Sequence, residues 1–171
     1  MNDLLKTRFS PYEFDPSYEL DENQIKELFE AARWAPSSYN EQPWQFFYAT
    51  RQNNNGFKKL YDLILDGNKP WSGEVSMLVI GVANNTFTRN GKPNKHASYD
   101  LGQAVMSLTI QATEMGLNVH QMGGFDAQKA KDVFNLANNQ DAIVAVAIGK
   151  SFVDGNSKRT RKSIEEIFIE A

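Results

Sequence analysis

Four short stretches hold most of the side chains suited to grip a charged or heterocyclic ligand. Near the N-terminus, TRFS places Arg8 and Ser10 on either side of Phe9. Near the C-terminus, KRTRK carries Arg159 and Arg161 within a basic run from Lys158 to Lys162. Guanidinium forks and a hydroxyl suit phosphate oxygens, so the two ends make a phosphate site if the fold joins them. APSSYNEQPWQF, from Ala35 to Phe46, sets Pro36, Ser37, Ser38, Asn40 and Gln42 beside large rings. An asparagine amide donates and accepts at once, which matches a heterocycle with mixed edges. MGGF, from Met122 to Phe125, offers Gly123 and Gly124, where backbone can lie close to a flat ring. A phosphorylated planar cofactor fits all four stretches, but this chemistry alone does not say which one.

Each stretch also has a plainer reading. A basic run is often a solvated tail, and a Gly-Gly pair is often only a turn. Prolines punctuate loops, and Trp44, Phe46 and Phe47 read as core. His120, on a strand, reads as a satisfied core or interface residue rather than a catalyst. Composition narrows the choices further. The 171 residues form one domain by length, with 41% apolar and 12% aromatic content. The net charge of −3 gives no pull toward nucleic acid or an anionic membrane. There is no cysteine, which excludes disulfides, thiolate metal sites and a cysteine nucleophile. The two histidines, His96 and His120, are too few for an ordinary catalytic zinc site. Phosphate-loop, dinucleotide-fingerprint and nucleophile-elbow motifs do not occur. MNDLLKTRF has no apolar signal core, and no apolar run has membrane-spanning length, so a reducing cytoplasm is the expected location.

The elements that must position these residues follow from periodicity. Residues 1–20 read as irregular, since Ser10-Pro11 and Asp15-Pro16 discourage helix. Asp21 with Gln24 predicts a capping box, and Ile25, Leu28, Phe29 and Ala32 form one helical face ended by Pro36. Gln45 to Ala49 predicts a short strand, and Phe57, Leu60, Tyr61 and Ile64 a second helix. Met77 to Ala83 is a buried strand by its content. After a turn at Arg89 to Pro93, Leu101, Ala104, Val105, Leu108, Ala112 and Met115 mark a long helix ended by Gly116. Ala97, Gly102 and Ser107 suggest a second packed face, as in a central helix shared with a partner chain. Asn118 to Gln121 and Ala142 to Ile148 predict two more strands, with a helix capped by Asp126 between them. The tail from Gly155 is polar, then basic, then weakly amphipathic. This alternation leaves α+β and α/β both open.

Five motifs in order resemble the FMN-dependent nitroreductase family over nearly the whole chain. These are RFSPYEFD, ARWAPSSYNEQPWQF, RNGKPNKHASYDLGQAVMSLTIQATEMGL, QMGGFD and KRTRKSIEEI. The second is the most specific. The resemblance implies an α+β fold, a central mixed or antiparallel sheet surrounded by helices, in an intertwined homodimer with two FMN sites at its interface. It implies that Arg8 and Ser10 with Arg159 and Arg161 hold the phosphate and ribityl end. Pro36, Ser37, Ser38 and Asn40 would reach the flavin from the partner. Met122, Gly123 and Gly124 would lie against the ring, and Gln42 and Asn68 would touch its edge. Phe9 and Tyr12 share this site, where many members carry basic residues. At Tyr12 the missing cation would otherwise stabilise the anionic reduced flavin, so its loss bears on redox potential. Gln121 stands where some members have proline. The chain also lacks the insertions that roof the substrate pocket in larger members.

The implied activity is reduction of nitroaromatics, quinones or similar acceptors by NAD(P)H, in ping-pong hydride transfer with no dedicated acid or base. Rival readings are flavin reduction or other reductive chemistry on the same fold, and a redox-idle flavin-binding protein. A nucleic-acid binder using the basic tail is a distant third, since net charge opposes it.

Overall fold

A computed structural model describes residues 1–153 and 159–170. Strands β1 (Trp44–Thr50), β2 (Met77–Asn84), β3 (Asn118–Met122) and β4 (Gln140–Gly149) form one sheet in the order β1-β2-β4-β3. Every neighbouring pair is antiparallel. That settles the class as α+β, with an antiparallel rather than mixed sheet.

Both faces of this sheet are covered, which explains why β2 reads as an unbroken apolar run. Leu78, Ile80 and Val82 point into one core, with Phe57 and Leu60 of α3 (Asn54–Tyr61), Trp71 of α4 (Lys69–Ser72) and Ala130 of α6 (Ala127–Val133). Met77, Val79 and Ala83 point into the other, with Leu28 and Ala32 of α2 (Glu22–Arg33) and Leu101, Ala104, Val105 and Leu108 of α5 (Ala97–Glu114). Period-two alternation serves two layers at once.

The predicted caps form. The Asp21 carboxylate accepts from the Gln24 N–H at 2.8 Å, and the Gln24 side chain accepts from the Asp21 N–H at 3.1 Å. Asp126 accepts from the Lys129 N–H at 2.8 Å. Gly116 closes α5 with φ at 71°, a left-handed turn that glycine enters without a Cβ penalty.

Several expectations are corrected. Residues 1–20 are not wholly irregular: Asp3–Thr7 forms α1, capped by the Asn2 side chain, which accepts from the Leu4 N–H at 2.9 Å. The prolines that discourage helix lie beyond it. Ile64 falls outside α3 and instead bridges to Phe125. On α5, Ala97 belongs to the core, because it lies one and two turns from Leu101 and Ala104. Gly102 is exposed, and the outer face is carried by Gln103, Met106, Ser107 and Ile110. Short α4 was not expected from the sequence.

Candidate cofactor site

The chain ends do meet. The last carbonyls of a helix lack partners within it. At the end of α1, the Arg159 guanidinium supplies them, donating from Nη1 to the Arg8 carbonyl and from Nη2 to the Lys6 carbonyl. A cation also suits the negative end of the helix dipole, though five residues make that dipole small. Arg8 Nη1 in turn donates to Ser10 Oγ at 3.5 Å, a long bond. Burial, then the charges of Arg159 and Arg161, lower the pKa of the Arg8 guanidinium. Among the described residues, none of these three arginines has a carboxylate partner. Lys158 of the basic run lies outside the described residues. An open cavity of about 460 Å³ lies here, lined by Leu5, Lys6, Arg159, Arg161 and Ile167.

After Ser10 the chain passes β3. The Pro11 carbonyl lies 2.7 Å from His120 Nδ1, so that nitrogen carries the proton. His120 stacks on Trp71 at 4.5 Å, and the exposed ring of Tyr12 meets both edge-on. Trp71 belongs to α4, and Asn68, the residue just before that helix, reaches the turn after β3. Asn68 Nδ2 donates to the Gly124 carbonyl at 3.3 Å. A Cβ on Gly124 would sit 2.6 Å from that nitrogen, so glycine permits the approach. Gly123 is open, with nothing within 4 Å of a Cβ built there. The Met122 side chain is buried in the core at 3% exposure, which leaves only its backbone to face a ligand. Phe9 is half-buried.

The loop from Pro36 to Gln42 stands apart. It precedes β1, at the sheet edge opposite β3. Among the described residues, no hydrogen bond or ion pair joins it to Arg8, Ser10, Asn68, Gly124 or Arg159. Its backbone is unusual: Tyr39, Asn40 and Gln42 have φ of 55°, 56° and 51°. Left-handed backbone costs a non-glycine residue roughly 1–2 kcal/mol, less for asparagine. The loop is held by the Ser37 hydroxyl, which accepts from the Gln42 N–H at 2.9 Å. The Glu41 carboxylate accepts from the Thr88 N–H at 2.6 Å. Tyr39 meets Phe87 edge-on, with the Arg89 guanidinium 4.0 Å above its ring centre. Asp100 accepts from the Ser38 N–H at 3.0 Å. Pro36, Ser37, Ser38 and Asp100 share a depression of about 280 Å³.

Asp100 was missed in the sequence. The available signal was a lone acid on the apolar face of a helix, between Ala97 and Ala104. His120 is hydrogen-bonded, as the plainer reading expected.

Comparison with known proteins adds a decisive finding. The model of the Nitroreductase family matches residues 5–79 and 68–150. This chain belongs to the nitroreductase family. An oxygen-insensitive NADPH nitroreductase of Helicobacter pylori strain J99 is 29% identical, over 94% of this chain and 91% of its own. Protein DrgA of Synechocystis is also 29% identical, over 94% of this chain and 89% of its own. The crystal structure of an FMN-containing oxidoreductase superposes with a TM-score of 0.84 at 29% identity, covering 90% of this chain and 78% of that one. As a nitroreductase-family member the chain is an oxidoreductase, and the fold matches accordingly.

Proposed function

We propose that this protein binds FMN and uses NAD(P)H to reduce nitroaromatics, quinones or similar small acceptors. The observation that carries the reading is the meeting of Arg8, Arg159 and Arg161, with no carboxylate paired to them among the described residues. Three clustered cations repel one another, and an anion that accepts from their donors relieves the repulsion. A phosphate fits that requirement, and the similar FMN-containing oxidoreductase points to the phosphate of FMN.

Arg8, Ser10, Arg159 and Arg161 would hold the phosphate and ribityl end. Arg159 spends part of its fork on the α1 carbonyls, which fixes its orientation and leaves further guanidinium hydrogens for the ligand. Gly123, Gly124, the Met122 backbone and Asn68 would border the ring, with Phe9 and Tyr12 beside them. When bound, FMN supplies a two-electron carrier that serves the nicotinamide and the acceptor in turn. The chain's own part is to place it and to set the charge around it. Tyr12 would bring a phenol rather than a cation to the ring end of the site.

A homodimer completes the reading. Pro36, Ser37, Ser38, Asn40 and Gln42 are polar, shaped and far from the other candidate residues in sheet order. A partner's loop would bring them to the site. The outer face of α5 supports such a partner: Met106 and Ile110 border an open groove of about 580 Å³ with Leu5 and Trp34, and Trp34 is 75% exposed. Ile164, Ile167, Phe168 and Ile169 in the tail are also exposed. Exposed apolar side chains around this groove support an interface there. Among the described residues no helix is long and apolar enough to cross a membrane. A cytoplasmic location is part of the proposal.

The test is the absorption spectrum of the purified protein, followed by chromatography of the heat-released cofactor. Yellow protein releasing FMN, with steady NAD(P)H oxidation in the presence of a quinone, is the expected result. Protein that stays colourless after incubation with FMN overturns the reading. Bound FMN without turnover leaves the redox-idle alternative.

A further inference from the structure

Asp100 lies in the first turn of α5, packed on the same face as Ala97, Leu101 and Ala104, and is 2% exposed. A carboxylate this deep needs a donor. Among the described residues its side-chain hydrogen bond comes from the backbone N–H of Ser38, 62 positions away in the chain. The helix N-terminus adds positive potential around it.

The bond falls at a telling place. Ser38 opens the turn whose next residues, Tyr39 and Asn40, are left-handed, with Gln42 following. Without glycine, such a run relaxes toward right-handed or extended backbone unless the surroundings hold it. Its other outside contacts are exposed: the Glu41–Thr88 bond lies at the surface, and Tyr39 is 74% exposed where it meets Phe87. Water and salt compete with both. The Asp100 bond is the one that begins in the protein interior.

We propose that Asp100 is a positioning residue that holds the Ser37–Gln42 loop in its ligand-ready shape before any ligand arrives. The inference rests on the FMN reading for what the loop then binds, but not for the anchor itself. A loop ordered in advance need not be ordered by the ligand, so affinity rises without a new contact. Asp100 touches no ligand in this account and acts through Ser37, Ser38 and Asn40.

Two measurements on the full chain test it. Hydrogen exchange, followed by mass spectrometry on apo-protein, reads the peptide spanning residues 35–43. FMN titration, followed by flavin fluorescence, reads affinity. Asp100→Ala should speed exchange in that peptide at least tenfold while peptides of β2 and β4 keep their protection. It should raise the FMN dissociation constant tenfold or more. Asp100→Asn, whose amide oxygen still accepts from Ser38, should recover most of both. A general packing role would also be rescued by the isosteric asparagine, but it predicts that Asp100→Ala loosens the whole sheet, so confinement of the faster exchange to the loop separates the two. Should Asp100→Ala not fold, Ser38→Pro deletes the same bond from the loop side. Ser37 before it is already extended, as a residue preceding proline prefers to be. Unchanged loop exchange in Asp100→Ala, or in Ser38→Pro where it stands in, overturns the anchor. Faster loop exchange with unchanged FMN affinity overturns its part in binding. If wild-type protein takes up no FMN, the cofactor reading falls while the exchange data still decide the anchor.

Discussion

Arg8 shows how one side chain can serve a site assembled from distant chain segments. Its donors face Ser10, while its backbone carbonyl accepts from Arg159. Replacing it with alanine removes a charge-assisted donor to phosphate, worth about 1.5–3 kcal/mol. Arg8→Ala should therefore weaken FMN binding roughly ten- to a hundred-fold. Riboflavin has no phosphate, so its affinity should stay nearly constant. Titrating apo-protein with both flavins checks this, and equal losses would recast Arg8 as a general fold contact. Glu30 gives a second residue-scale test, away from the site. Hydrogen bonds from Arg33 and Trp34 hold its carboxyl well below the ordinary 4.5, at about 2. A lowered folded-state pKa contributes stability above the ordinary value, lost as pH falls from about 4.5 toward 2. The group is exposed, so screening keeps that contribution small. Carboxyl NMR shifts should titrate near 2 in the wild type, and move back toward 4.5 in Arg33→Ala.

At the scale of elements, the turn after β3 and the start of α4 form one unit. Asn68 heads α4 without capping it, and its side chain goes to Gly124 instead. Gly124→Ala places a methyl 2.6 Å from Asn68 Nδ2, so the amide must swing away. Loss of that one bond should cost on the order of 1 kcal/mol of stability in urea denaturation. Coupling is the sharper measure. Once Asn68→Ala has removed the amide, Gly124→Ala should add little, so the double mutant should be clearly less destabilised than the sum. Simple additivity would mean that the two residues do not constrain each other. The pair joins elements that the sequence separates by 56 positions, so no local pattern announces it.

For the whole molecule, the question is what covers α5. Light scattering at micromolar concentration should give twice the chain mass. Ile110→Glu puts a charge into the apolar groove beside Met106 and Trp34, and should yield monomers. If the Ser37–Gln42 loop completes a partner's site, those monomers should also lose FMN affinity at least tenfold. A monomer that keeps its flavin would contradict a shared site.

Local chemistry in the sequence determined the elements it encodes directly. Asp21 with Gln24 announced a cap, Gly116 a helix end, and the apolar runs of β2 and β4 their strands, because each signal lies within a few residues. The motif order also carried the family, and with it the list of candidate residues. Strand direction was not legible, since a run buried on both faces looks the same in parallel and antiparallel sheets. Nor was the Asn2 cap of α1, which the following prolines obscured. Tertiary structure alone decided that Arg159 would close the end of α1, that Asn68 would meet Gly124, and that Asp100 would take Ser38 as its partner. Each is a contact across at least 56 residues, made only when packing brings the segments together. A chain's own order contains the donors and acceptors but not which of them burial will force to pair.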